Sequence, residues 1–288
     1  MNAVTAGATD EFTRLGIEVV ATTSAGFDSA KQLADVETTM APETEYHSVA
    51  AFGSGGFSCS VQAKASEAGI KLVFLSNLPA NYKHPTDYGA IVTDDLFQMG
   101  KQAADVLATS MGEARARSAG FSMMLPITSP TNATTPSRPR SRTTTPTCRL
   151  WPKPGSATRH APKKSPMRCC CKTLILSGIY VTWAGPAEGV LAALRATSNT
   201  TTKIVTLDLS EPIALDMVKG GNVAGIVADE AYELGRAMAA VGARAVLGVE
   251  NPPSSSPPRW PSPRTNVVEG WQKSLHKDAP QSVLDALK

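Results

Sequence analysis

Between Gly178 and Val246 the chain repeats one pattern three times: a short apolar run, then a helix-patterned stretch. GIYVT precedes a segment with Val190, Leu191 and Leu194 at helical spacing. KIVTL precedes SEPIALDMVKGG. VAGIV precedes a stretch from about Glu230 to Val241. Continuous apolar strands have no polar face to show to water, so a helix must cover each side. That pattern leads to a parallel sheet between two helical layers, an α/β class. Pro186 is predicted at the first position of its helix, and Ser210 is predicted to cap the next, which ends at Gly220 and Gly221.

The same grammar holds nearer the start. IEVVAT, Ile17–Thr22, reads as a β-branched strand. Asp28 is predicted to cap a helix running to Met40, with Ala30, Leu33, Ala34 and Met40 on its apolar side. KLVFL, Lys71–Leu75, reads as a buried strand, and Leu96, Met99, Ala103 and Leu107 mark one face of a further helix.

Three stretches break the pattern: 42–62, 113–177 and 247–265. They hold 16 of the 21 prolines and all five cysteines. The middle one carries twelve Lys and Arg against a single acid, Glu113, so the rest of the chain is acidic. Such text reads as linker, as a basic nucleic-acid arm, or as translation in the wrong frame. The third reading can be worked on paper. If each codon takes the last base of one residue and the first two of the next, Ser156–Ile175 becomes FGDPARAEEVANAMLLQNPD. Cys169-Cys170-Cys171 then becomes Met-Leu-Leu, at helical spacing, running straight into the visible GIYVTWAG. The frame reading is therefore the expectation for 113–177, and a looser one for 42–62 and 247–265.

Ligands of parallel α/β sheets bind beyond the carboxyl ends of the strands. The residues there are Ser76 and Asn77 after KLVFL, Trp183 after GIYVT, Asp208 after KIVTL and Asp229 after VAGIV. An indole face can lie on the C–H face of a sugar ring, and carboxylates and amides can take paired hydroxyl hydrogen bonds. The same residue types also cap helices, so spacing alone leaves both readings open.

GIYVTWAGPAEGVLAALRA and KIVTLDLSEPIALDMVKGGNVAGIVADEAYELGRAMA resemble the second lobe of ribose/galactose-type periplasmic sugar-binding proteins, the substrate-binding components of ABC importers. EAGIKLVFLSNLP and DDLFQMGKQAADVLA resemble the first lobe. The resemblance implies two Rossmann-like lobes joined by three crossings, the type I periplasmic-binding-protein fold. That fold is expected to be incomplete here, with a first strand and a secretion signal missing before Met1. It implies an N-terminal lobe at 1–112, a C-terminal lobe at 113–246, and a crossing with terminal helices at 247–288. It further implies a monosaccharide in the inter-lobe cleft, contacted by Ser76, Asn77, Trp183, Asp208 and Asp229. The partner is a membrane permease, the location periplasmic, and the protein a monomer without cofactor. The cleft Asp-Pro of the family would lie hidden under 42–62, and its Asn and Arg under 126–142, so the chain as written is expected to bind sugar weakly or not at all.

Other classes fare worse. No run of 18 apolar residues exists to span a membrane. Adjacent cysteines cannot all face one ion, so Cys169–Cys171 with His160 are not expected to hold metal. Gly53–Gly56 lacks the lysine and spacing of a phosphate loop. His84 and His276 are expected to be solvated. No acid–base pair or triad is assignable, so an enzyme is not expected, and no nucleic-acid role is expected for Arg138–Arg142. A sugar-responsive regulator core or an enzyme on the same fold is the alternative.

Overall fold

The structure, a computed structural model, describes residues 3–26, 28–40, 45–49, 59–79, 81–111, 118–121, 176–256, 260–262 and 266–288. Among these residues nine strands form two sheets. The first takes β1 (Tyr46–Val49), β2 (Lys71–Leu75), β3 (Ala90–Val92) and β8 (Ser254–Ser255), in that order and all parallel. The second runs β4 (Ser118–Phe121), β5 (Gly178–Val181), β6 (Lys203–Leu207), β7 (Val223–Ala228) and β9 (Trp260–Ser262). Its first four strands are parallel, and β9 closes the edge antiparallel, with Ile226 opposite Ser262.

Each sheet is covered on both faces, as continuous apolar strands require. On the first, α2 (Ser29–Thr39) and α3 (Cys59–Ala68) enclose Val36, Val61, Ala65, Leu72 and Phe74. On the second, α5 (Ala184–Ala196), α6 (Glu211–Val218), α8 (Val267–Leu275) and α9 (Gln281–Ala286) close over Val181, Ile204 and Ile226.

The other two faces are covered by exchange. Strand β3 feeds α4 (Leu96–Met111), yet α4 packs on the second sheet, where Met99, Ala103 and Leu107 meet Val205, Leu207 and Val227. Strand β7 feeds α7 (Ala231–Val246), which packs on the first sheet, with Leu234, Met238 and Val241 against Val73, Ala90 and Val92. Helix α1 (Ala3–Leu15) lies along α7. The two exchanges share a sequence: TDDLFQMG at Thr93–Gly100 and ADEAYELG at Ala228–Gly235. The chain is thus two copies of one unit that trade helices at 93–95 and 229–230, and it changes sheet again between β8 and β9.

Several sequence expectations are met at the residue level. Lys71–Leu75 and Lys203–Leu207 are strands with the predicted bounds. The Asp28 carboxylate caps α2 by accepting from the Ala30 and Lys31 backbone N–H groups. Others are corrected. Ile17–Thr22 is not a strand: the run is irregular and its side chains exposed, Val20 at 64%. Among the described residues β1 is the strand beside β2, and IEVVAT pairs with no strand. Pro186 is the third residue of its helix rather than the first, and it still falls in the first turn, where the missing N–H costs nothing. Leu96 is exposed at 59%, because it opens α4 before the helix reaches the sheet. The stretches 42–62, 113–177 and 247–265 contribute β1, the start of α3, β4, β8 and β9. Gly53–Gly56, Arg138–Arg142, His160 and Cys169–Cys171 lie outside the described residues.

Candidate functional site

All five predicted site residues stand at carboxyl ends of strands, each half-buried. Trp183 and Asp208 follow the neighbouring strands β5 and β6, and Asp229 follows β7 beside them. Ser76 and Asn77 follow β2 in the other sheet. Local backbone bonds fix them. Ser76 N–H donates to Val92 O at 2.7 Å, which ties the end of β2 to the end of β3. The Trp183 carbonyl accepts from Ala187 N–H at 3.3 Å and opens α5, while its side chain makes no capping bond. The Asp229 carbonyl accepts from Ser274 Oγ at 2.5 Å, so α8 holds the end of β7.

The electrostatics single out Asp208. Burial, and then the Asp94 carboxylate, push its carboxyl from the ordinary 3.8 up to about 6. Asp94 sits in the crossing from β3 to α4, and through it the end of the first sheet reaches the second. Tyr180 on β5 is raised as well, by burial first and by Asp208 second. Asp94 escaped the sequence reading. Its signal was the internal repeat, in which Asp94 is the counterpart of Asp229.

Two hydroxyls at this end of the second sheet are incomplete. Thr182 Oγ1, one residue past β5, and Ser210 Oγ, two residues past Asp208, are buried with no hydrogen-bond partner among the described residues. Ser210 was expected to cap α6; it stands at the cap position, yet its hydroxyl makes no capping bond. Buried hydroxyls are ordinarily paired, and an unpaired one costs about 1–3 kcal/mol. Both lie within two residues of Asp208 or Trp183 in the chain. A ligand or water supplying their bonds would recover that cost.

Of the two histidines expected at the surface, His276 is exposed as expected, whereas His84 is half-buried. His276 stacks on Tyr232, with centroids 3.7 Å apart and planes 9° from parallel. His84 packs its ring against Tyr88 at 5.5 Å and buries Nε2. Among the described residues no three His, Cys, Asp or Glu side chains gather as a metal site, and no helix is long and apolar enough to cross a membrane.

The same overall arrangement of the chain recurs in solved structures. A solute-binding protein of an ABC transporter from Mycobacterium smegmatis, with bound glycerol, superposes at a TM-score of 0.69. It is 15% identical, over 97% of this chain and 94% of that one. The chain has the fold of ABC transporter solute-binding proteins. A second such protein, from Agrobacterium vitis with bound α-D-tagatopyranose, gives 0.68 at 13% identity, covering 93% and 91%. A carbohydrate transporter solute-binding protein from Agrobacterium radiobacter, in complex with D-arabinose, gives 0.67 at 16% identity, covering 96% and 93%. No family model and no curated protein sequence matches the chain. At these identities the likeness is one of fold: the type I periplasmic-binding-protein architecture of two linked α/β units.

Proposed function

We propose that this chain binds a small sugar or polyol between its two sheets, through Ser76, Asn77, Trp183, Asp208 and Asp229. It then delivers that ligand to the membrane permease of an ABC importer. The observation that carries this reading is Asp208 at the end of β6, with unpaired Thr182 Oγ1 and Ser210 Oγ nearby. A carboxylate accepts two hydroxyl hydrogens at once, and the two buried hydroxyls each need a partner. Trp183, next to Thr182, supplies an apolar face for a sugar ring. The structural relatives bind glycerol, α-D-tagatopyranose and D-arabinose, ligands of this chemistry. Binding and release, with no bond broken, is the whole activity; the protein works in the periplasm, as a monomer.

The test is a titration of the full chain with D-arabinose, D-tagatose, D-galactose and glycerol, followed by tryptophan fluorescence and by NMR shift changes. Binding of at least one polyhydroxyl ligand that Asp208→Ala abolishes supports the reading. Silence toward all of them, both by this chain at high millimolar ligand and by a chain with 42–62, 113–177 and 247–265 translated in the restored frames, removes it. The alternative, a regulator core on the same fold, would bind the ligand equally well but would not stimulate a permease–ATPase pair in vesicles.

A further inference from the structure

The crossing at 229–230 separates two helices that serve different sheets and yet touch. Helix α7 begins directly after it and packs on the first sheet, with Leu234 and Met238 against Val73 and Val92. Helix α8 packs on the second sheet, with Val267 and Trp271 in the cluster that holds Val181 and Ile226. The last turn of α8 nevertheless reaches the crossing. Ser274 is buried, and its Oγ donates to the Asp229 carbonyl at 2.5 Å. Two residues on, the His276 ring lies flat on the ring of Tyr232, in the first turn of α7, with centroids 3.7 Å apart and planes 9° from parallel. Glu233 Oε1 stands 4.0 Å from His276 Nε2.

Backbone geometry aims that ring. His276 ends α8 in the left-handed region, at φ 50°, and its N–H donates to Gln272 O at 3.0 Å. Glycine is the ordinary residue at such a helix end, so a histidine there carries a cost that the helix does not need. Residues kept in sparsely populated backbone regions gather where the placement of a side chain matters. Tyr232 is held at its far end, where its OH donates to Asp10 Oδ2 of α1 at 2.6 Å. Helix α1 is in turn bound to α7 by the bonds from Arg236 to Glu11, and its Val4 packs on the cluster of the first sheet. The stack thus joins α8, seated on the second sheet, to an α1–α7 pair seated on the first. Between them Glu230 has φ −93° and ψ 68°, outside both the strand and the helical ranges.

We propose that the Tyr232–His276 stack is a brace across the 229–230 crossing: it holds the angle between the two units, and its loss lets them turn about their crossings together. A turn at Glu230 carries the two rings with different bodies, so the stack cannot follow it. Linked units joined by short crossings move against each other unless a contact holds them. Aromatic stacking is worth a factor of about two to ten in such an equilibrium. A ligand that fits between the sheets at one angle only is weakened by the fraction of molecules away from that angle. The brace therefore sets the apparent affinity of the cleft without being one of the proposed ligand contacts. Nothing in it requires the ligand to be a sugar.

The experiment is hydrogen–deuterium exchange of the full chain, without ligand, read by mass spectrometry. It is run on the native sequence, His276→Gly and Tyr232→Phe. Glycine suits the left-handed end of α8, so His276→Gly removes the ring and keeps the helix end. Tyr232→Phe keeps the stack and removes the bond to Asp10. Two amides report the two helix exchanges: Leu234 N–H, bonded to Glu230 O at 2.9 Å, and Met99 N–H, bonded to Asp95 O at 3.1 Å. In His276→Gly both are expected to exchange about two to ten times faster, because units that turn open every crossing. Amides in Lys71–Leu75 and Lys203–Leu207 are expected to keep their native rates. Tyr232→Phe is expected to match the native chain at Met99. Faster exchange of His276→Gly confined to 228–236 and 272–278 makes the stack a local contact and overturns the brace, as does no change at all. Faster exchange in the two central strands means that the stack supports the units themselves rather than their angle, and overturns it too. A Tyr232→Phe chain that loosens both crossings as His276→Gly does assigns the hold to the Asp10 bond, against the stack.

Discussion

Ser76 and Asp208 occupy equivalent places in the two halves of the molecule. Each directly follows the strand next to the one that feeds the exchanged helix, β2 beside β3 and β6 beside β7. Each has a left-handed backbone, with φ of 59° and 65°. Non-glycine residues rarely stay there, and the conformation costs about 1–2 kcal/mol relative to the right-handed region. Strain of this kind gathers where a side chain must be aimed rather than packed. The cost is met twice, once per sheet, at residues proposed to contact ligand.

The strain at Ser76 is measurable. Ser76→Val places a branched side chain at positive φ and is expected to lower stability by about 1–2 kcal/mol. Ser76→Gly frees the turn but loosens the unfolded chain by about 0.4–1 kcal/mol, so its net effect is small. Urea unfolding of the three proteins reads the order: glycine near native, valine well below. Equal stability of valine and glycine would mean that the turn is not held in this conformation.

Asp208 ties stability to pH with a definite sign. Its carboxyl lies at about 6 in the fold against an ordinary 3.8. The native state therefore holds the proton more tightly than the unfolded state. Its contribution is fully present below about 4 and is lost as pH rises from there through about 6. The loss is at most about 3 kcal/mol, at 1.36 kcal/mol per pKa unit. Asp208→Asn keeps an αL-tolerant residue and removes the charge. It is expected to match the native chain at pH 4 and to melt higher at pH 8. Parallel melting curves at both pH values would remove Asp208 as the source.

Glu11 carries the opposite sign. Arg14 and then Arg236 bond to its carboxylate and hold it at about 2 against an ordinary 4.5 despite its burial. That stabilisation is present above the ordinary value and is lost as pH falls toward 2. The bond to Arg236 joins α1 to α7, and the helices meet so closely that a Cβ on Gly235 would collide with the Val4 carbonyl oxygen. Gly235→Ala is expected to push α1 off α7 and to lower stability by more than about 2 kcal/mol, with new proteolytic cleavage near Leu15–Gly16. An alanine variant as stable and as protease-resistant as the native chain would contradict this packing.

Asp216 fixes where β7 begins, and hence where Asp229 emerges. Its buried carboxylate accepts from Arg195 Nη2 and from Val223 N–H, both at 2.8 Å. Arg195 is 60% exposed, so Arg195→Ala is expected to cost less than about 1 kcal/mol. Asp216→Ala strands the Val223 N–H inside the fold and is expected to cost about 1–3 kcal/mol. Thermal melts that rank the two variants the other way would assign the anchoring to the guanidinium.

How much of this was legible depended on whether the signal was local. Lys71–Leu75 and Lys203–Leu207 were read to the residue because a run of five apolar-rich positions between turn signals has one outcome in a covered sheet. Ile17–Thr22 carries the same local signal, yet a strand exists only where a neighbour can complete its hydrogen bonds. Ser210 was read as a cap from its type, but its hydroxyl turned out to be free because α6 opens on Glu211 and Pro212 without using it. The exchange of α4 and α7 is a long-range fact, and so is the influence of the Asp94 charge on Asp208. Only the repeat of TDDLFQMG in ADEAYELG hinted at either one.

The final prediction concerns the stretches 42–62, 113–177 and 247–265, which are proposed to be out of frame. Closing two polar surfaces on a sugar leaves each unmatched hydroxyl unpaired, at about 1–3 kcal/mol apiece. If the shifted frames hide an Asp-Pro, an Asn and an Arg that belong in the cleft, three lost contacts remove on the order of 3–9 kcal/mol. A micromolar complex has only about 8 kcal/mol in total. The chain as written is therefore expected to bind D-arabinose, D-tagatose or D-galactose in the millimolar range or more weakly. A second polypeptide, with the three stretches translated in the restored frames, should bind one of them at least a hundredfold more tightly. Calorimetry on the two side by side decides. Micromolar binding by the chain as written would show that the cleft needs nothing from the hidden frames. A restored chain that binds no pentose or hexose would count against the sugar assignment itself. The DNA across 113–177 gives an independent check, since the alternative frame predicts particular wobble bases, such as the ATG CTG CTG that would turn Cys169–Cys171 into Met-Leu-Leu.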